Sequence, residues 1–232
     1  MLAGSRGPAC AIARDLGGLP AGEGRTAFGV VIRSDGLQRL TDDGRRAMLA
    51  TGVRTVIDLR TRAELRLVPS PCRDWDGYRP IPLLGDADAD ELAARFARQN
   101  RAECYPWTVE RARASLADVL RAIAGAGPGG IVVHCQVGKD RTGIVAALLL
   151  SLAGCPPDVV VDDYLLSASR LAAAAGVEDP ERRWYVEEPA MTRGLFRHLQ
   201  ARYGGVAGFL AQLGITERTQ DTLRRRLLTA AQ

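Results

Sequence analysis

"HCQVGKDRTG", residues 134–143, decides how this chain is read, because of what stands on either side of it. "GIVVHC" (130–135) is the strongest strand signal in the sequence, a β-branched run opened by glycine. "TGIVAALLLSLAG" (142–154) reads as an apolar helix. A strand, a polar loop and a helix in that order present backbone N–H groups at a helix N-terminus. Unpaired donors and the helix dipole both attract an anion there. Cys135 and Arg141 are separated by five residues, enough to curl the backbone into a cradle with the thiol at its base. Arg141 can then fold back over the rim and hold two oxygens of a phosphate. Gly138 permits the turn, since glycine takes positive φ freely. The N–H groups of Gln136, Val137 and Gly138 belong to the same anion-binding cradle.

Such surroundings suit a reactive sulfur. A thiol beside a guanidinium and a helix N-terminus loses its proton more readily than a free cysteine. Its thiolate can attack phosphorus and divide a hydrolysis into two steps. The Thr142 hydroxyl is placed to hydrogen-bond the sulfur, and His134 to orient the loop through its ring nitrogens. A lone buried cysteine at a strand end is ordinarily structural. That reading leaves the glycine, the arginine at the sixth position and the threonine unexplained.

The loop also holds the only lysine of the chain, Lys139, the other 30 basic residues all being arginine. An arginine-rich composition could leave one lysine anywhere. Lysine is, however, a compact and flexible point charge where arginine is a rigid fork. A second cation on the rim, beside Arg141, would suit a substrate with extra negative charge, such as a phosphoinositide head group.

Composition bounds the rest. At 232 residues, 47% hydrophobic and 25% charged, the sequence fits a globular protein with a sizeable core. A net charge of +4, from scattered basic residues, favours anionic ligands without the clustered patch of a nucleic-acid binder. Five widely spaced cysteines without a CxxC pair, and only two histidines, suggest neither a disulfide framework nor a zinc site, and no cofactor is expected. The start, "MLAGSRGPACAIARD", lacks the apolar run of about 7–15 residues of a signal peptide, and the longest apolar stretch is too short to span a bilayer. A reduced, cytoplasmic protein is expected.

Working outward, "AFGVVIRSD", "VRTVIDLR" and "YRPIPL" read as strands. "LTDDGRRAMLATG" reads as a helix capped by Thr41 and stopped at Gly52, and "TRAELRLV" as a helical return. "DWDG" (74–77) reads as a turn and "GDADADE" (85–91) as an acidic, mobile loop. Residues 107–125 have helical spacing, and beyond "PPDVVVDD" the pattern is almost wholly helical. Strands alternating with helices predict an α/β domain with a mainly parallel central sheet and helices on both faces. Residues 1–11 are expected to be a loose tail and 12–232 a single domain. The segments 86–125 and 156–186 are candidates for a lid.

"HCQVGKDRTG" resembles the HCxxGxxRTG signature of the protein tyrosine phosphatase superfamily. Its filling is similar to that of the atypical bacterial tyrosine and lipid phosphatases, the triple-specificity phosphatases. "ARDLGGLPAGEGR", "VIRSDGLQRLT", "GVRTVIDLRTRAEL", "VDDYLLS" and "RYGGVAGFLAQLGI" resemble that family in the same order, over roughly residues 12–216. The family usually has Asn-Phe before "RDLGG", where this chain has Ile12 and Ala13. The resemblance implies a phosphatase fold, a phosphocysteine intermediate on Cys135, and phosphoprotein or phosphoinositide substrates.

It also bears on the proton that the departing oxygen needs. Many tyrosine phosphatases supply it from a Trp-Pro-Asp loop, which this sequence lacks. The resemblance implies Asp140 as the acid. Asp58 of "VIDLR", at a strand end that could face the same cleft, is a rival, and the acidic "GDADADE" stretch a third choice. Other readings keep the loop and change the reaction, either to hydrolysis of inositol polyphosphates or other small esters, or to silent phosphate binding. A sulfur-transfer or arsenate-reducing enzyme would want a resolving cysteine nearby, and none lies within 15 residues of Cys135.

Overall fold

The computed structural model describes residues 10–97, 101–175 and 189–228. Seven strands are present among them: β1 (Arg14–Asp15), β2 (Pro20–Ala21), β3 (Gly24–Arg25), β4 (Val31–Ser34), β5 (Val53–Asp58), β6 (Tyr78–Pro80) and β7 (Gly130–His134). The helices are α1 (Asp42–Ala50), α2 (Arg62–Leu67), α3 (Asp86–Ala97), α4 (Cys104–Arg111), α5 (Arg113–Gly125), α6 (Asp140–Leu152), α7 (Pro157–Ala175), α8 (Pro189–Tyr203), α9 (Val206–Gln212) and α10 (Glu217–Leu227). The main sheet has the order β1-β4-β7-β5-β6. Its four longer strands run parallel, while β1 is an antiparallel edge on β4 and β2–β3 form a separate antiparallel pair. The sheet is thus mainly parallel, as expected, with the short N-terminal strands supplying the antiparallel exceptions.

Alternation along β7 shows how the sheet is covered. Ile131 and Val133 face the larger core, with α4 to α6 and α8 to α10, while Val132 faces a smaller one built from Leu37, Leu40, Met48 and Val56. Both faces of β7 are buried, as its unbroken apolar run requires. α6 is apolar around nearly its whole circumference because it lies inside the larger core, with every residue from Thr142 to Leu150 buried.

Local signals place the flanks. The Thr41 hydroxyl accepts the Gly44 N–H at 3.1 Å to start α1. Thr61 and Glu64 close a capping box at the start of α2. The "GDADADE" stretch, expected as a mobile loop, instead opens α3. Asp86 and Asp88 sit in its first turn, where the helix dipole favours carboxylates, and Asp86 also accepts the Ala63 N–H at 2.9 Å. The helical region 107–125 divides at Ala112 into α4 and α5. Of the expected tail, residues 1–9 lie outside the described residues, and Ala11 is tied down: its N–H donates to Asp35 Oδ2 at 2.9 Å. The last part of the candidate lid, 176–186, also lies outside them. Among the described residues no helix is long and apolar enough to cross a membrane.

Candidate active site

The loop after β7 is shaped by where its carbonyls go. The Gln136 carbonyl accepts the Gly36 N–H at 3.0 Å, and His134 Nδ1 donates to the Cys135 carbonyl at 3.1 Å. Arg33 Nη2 donates to the carbonyls of Gly138 and Lys139 at 2.9 and 3.3 Å. Gly138 has φ +76°, and a Cβ there would lie 2.5 Å from both Asp35 N and Ser34 O, so only glycine fits. Ile12, the departure from the family pattern, is fully buried against this turn and donates its N–H to Asp35 Oδ1 at 3.2 Å.

With the carbonyls engaged elsewhere, donors remain for the sulfur. The Gly138 N–H points at Cys135 Sγ, 3.2 Å away, and Cys135 is only 2% exposed. Gln136 and Val137 form the exposed lip of the loop. Arg141, in the first turn of α6, is gripped through both terminal nitrogens by Glu64, Nη1 to Oε2 at 2.5 Å and Nη2 to Oε1 at 2.8 Å. Burial opposes the charge on Arg141, but Glu64, Cys135 and Asp140 outweigh it and hold the guanidinium above its ordinary value. The same pair works on Glu64. Burial would raise its pKa, and the bonds from Arg141 and Thr61 lower it further than burial raises it.

Asp140 begins α6 with its carboxylate partly open to solvent. Its Oδ1 accepts the Tyr105 hydroxyl at 3.0 Å and lies 3.8 Å from Lys139 Nζ. Tyr105 is itself buried edge-on against Tyr164. Lys139, expected on an open rim, is instead 5% exposed, with Nζ 5.8 Å from the centre of the Tyr164 ring. The turn that points the Gly138 and Lys139 carbonyls at Arg33 leaves the lysine stem against α7 rather than solvent. Its charge reaches the cleft only beside Asp140.

Thr142 also differs from expectation. Its hydroxyl is fully buried and, among the described residues, makes no hydrogen bond to the sulfur or to any other group. The carbonyl four residues back, the usual partner of a helical threonine, is Gly138's and is taken by Arg33.

Asp58 stands opposite His134 on β5, but not in the cleft. Its side chain is fully buried, with Oδ1 accepting Arg60 Nε at 3.0 Å and Oδ2 accepting Arg60 Nη2 at 2.8 Å and the Tyr78 hydroxyl at 3.0 Å. Burial pushes this carboxyl up, and the hydrogen bonds and charge of Arg60 pull it below its usual value. The same partners leave it no free oxygen to present to a substrate. His134 Nε2 lies 3.4 Å from Asp58 Oδ2 without the alignment of a hydrogen bond, and burial keeps the imidazole pKa low. A neutral ring donating from Nδ1 to the Cys135 carbonyl is the state these contacts support.

Sequence reasoning missed Glu64, Arg33, Asp163 and Tyr105. The T-x-x-E spacing of "TRAE" signals a capping box, and so a fixed Glu64 at a helix start, but does not say that Arg141 meets it. Nothing local marks Tyr105. Among the described residues no group of three or more His, Cys, Asp or Glu side chains could hold a metal ion.

Residues 9–229 match the family described as the tyrosine phosphatase family. A tyrosine-protein phosphatase of Nostoc commune is 32% identical over 216 residues, covering 84% of this chain and 73% of the relative. The triple specificity protein phosphatase PtpB of Mycobacterium tuberculosis is 28% identical over 254 aligned positions, covering 86% of this chain and 91% of its own. A putative tyrosine-protein phosphatase of Cupriavidus necator is 31% identical, over 69% of this chain and 61% of the relative. The family match spans nearly the whole chain, and the chain belongs to the tyrosine phosphatase family as a cysteine-dependent protein phosphatase.

Proposed function

We propose that this enzyme hydrolyses phosphotyrosine through a phosphocysteine on Cys135. Phosphoserine, phosphothreonine and phosphoinositides are further substrates, as in the triple-specificity group that its HCxxGKDRTG loop resembles. In the first step the Cys135 thiolate attacks phosphorus and the P–O bond to the tyrosyl oxygen breaks. That oxygen takes a proton from Asp140, and phosphate remains on sulfur. In the second step water attacks phosphorus, gives a proton back to the Asp140 carboxylate, and inorganic phosphate leaves with the thiolate restored. Loop N–H groups carry the equatorial oxygens through both steps.

The observation that carries this reading is the geometry around the sulfur. Cys135 Sγ receives the Gly138 N–H, while Glu64 holds Arg141 by its two terminal nitrogens and keeps Nε out of that pair. A guanidinium fixed along one edge presents another edge to a phosphate without first losing rotamer freedom. Two features support Asp140 as the acid over Asp58. Both of its contacts fall on Oδ1, and its carboxylate is partly exposed where that of Asp58 is fully buried. The buried Thr142 hydroxyl, with no partner among the described residues, adds a donor to the same region, for a phosphate oxygen or for the departing sulfur. Cys10, Cys72, Cys135 and Cys155 carry free thiols, in keeping with a reducing, cytoplasmic setting.

The deciding experiment is hydrolysis of a phosphotyrosine peptide, a phosphoserine peptide and phosphoinositide vesicles, with EDTA present. Turnover of the phosphotyrosine peptide, undiminished by EDTA, is the expected result. A protein that releases phosphate only from phosphoinositides, or not at all, is not the enzyme proposed.

A further inference from the structure

Three motif stretches that touch no reacting atom meet behind the loop: Arg14 on β1, Arg33 on β4 and Asp163 on α7. Arg33 is 1% exposed, with Nη1 paired to Asp163 Oδ2 and Nη2 given to the carbonyls of Gly138 and Lys139. Arg14 takes the other carboxylate oxygen, Nε to Oδ1 at 2.8 Å, and spends Nη2 on the Asp163 carbonyl and on Ser167 Oγ. Two guanidinium groups share one carboxylate, so the buried cluster carries one net positive charge behind an anion site. Burying such a set costs far more than apolar packing of the same volume, and structure alone is a poor reason to keep it.

The geometry gives a better one. In a trans peptide the carbonyl and the next N–H point in opposite directions. A guanidinium that holds the Gly138 carbonyl from behind therefore turns the Lys139 N–H the other way, towards the cradle. We propose that Arg33 is a positioning residue for the phosphate loop, held in place by Asp163 and Arg14. α7 and the N-terminal strand thereby set the anion affinity of a site they do not touch. This rests on the loop being the phosphate site, as argued above.

The test compares Arg33→Lys, Asp163→Asn and the double variant with wild type. The readouts are inhibition by inorganic phosphate, kcat and KM on an aryl phosphate, and the melting temperature. Lysine keeps the charge but lacks the planar fork whose two terminal nitrogens serve the carboxylate and the carbonyls separately. Each single variant should weaken phosphate inhibition by about 10–100-fold, the range expected for losing a charge-assisted hydrogen bond. The double variant should be no weaker than the worse single one, because the residues act as one unit. Leu223→Ala, in α10, is the control for stability alone: its melting temperature falls while phosphate inhibition stays within about twofold. Should Arg33→Lys fail to fold, Arg14→Lys decides, with a several-fold loss of phosphate inhibition expected. The inference is overturned if melting falls with phosphate inhibition unchanged, or if the two single effects multiply. If phosphate fails to inhibit even wild type, it is the phosphate-site reading that has gone.

Discussion

Two arginine–carboxylate pairs flank one loop and differ in what they leave open. On the cleft side, Arg141 and Glu64 retain 14% and 26% of their side-chain exposure. Behind the loop, Arg33 and Asp163 retain 1% and 6%, and the guanidinium is divided between a carboxylate and two carbonyls. The exposed pair keeps donors in reserve for a ligand, and the buried pair commits its own to the backbone. One loop thus has a face built to bind and a face built to hold. Substitutions should separate accordingly: losses of chemistry on the first face, losses of affinity or stability on the second.

The sharpest break is expected at the sulfur. Cys135→Ser should abolish turnover while inorganic phosphate still binds, since the N–H cradle and Arg141 remain and only the nucleophile is gone. Hydrolysis at a tenth of the wild-type rate in a phosphotyrosine assay would remove Cys135 from that role. Asp140→Asn comes next. It should slow phosphotyrosine, a poor leaving group, by about 10²–10⁴-fold and an activated aryl phosphate far less, because the latter departs without a proton. Equal losses on both substrates would mean that Asp140 only shapes the start of α6.

Glu64→Gln sharpens the comparison from the cleft side at smaller cost. A neutral amide can still accept one bond from Arg141 but not hold the fork through two, and kcat/KM should fall about tenfold with the fold intact. The sign of the pH effect follows from the lowered Glu64 pKa. The charged pair contributes fully above the ordinary carboxylate range and is lost as pH falls through the folded value. Wild-type stability should therefore decline on the acidic side more steeply than that of Glu64→Gln, in melting curves recorded across that range.

How much of this was legible follows from distance along the chain. Strand, cradle, nucleophile and fork occupy residues 130–154, so their types and spacing could be read directly. The holding face could not. Arg33 meets Asp163 across 130 residues and Gly138 across 105. With 30 arginines and 27 carboxylates, no rule of composition pairs one with another. The surroundings of Asp58 were illegible for a related reason. A carboxylate at the end of a parallel strand points to one of two faces, and the sequence leaves open which one Arg60 and Tyr78 have closed. Lys139 stands out in the sequence as the only lysine, but its burial depends on α7, a helix that sequence cannot dock.

Asp58→Asn should have the smallest effect on chemistry, and it separates the two faces most cleanly. The substitution leaves the loop, Arg141 and Asp140 in place, so neither the activated nor the poor leaving group should slow by more than about twofold relative to the other. What it removes is the counter-charge of Arg60, whose side chain is fully buried with that of Asp58. Breaking a buried pair by neutralising one partner costs about 3–5 kcal/mol, here to be read from denaturant unfolding. The pH dependence again has a fixed sign. The Asp58 pKa is lowered, so its contribution is present at neutral pH and lost as pH falls through the folded value, a loss the asparagine variant should not show. A leaving-group dependence in Asp58→Asn, with stability unchanged, would move the acid to the end of β5 and undo the division between the two faces.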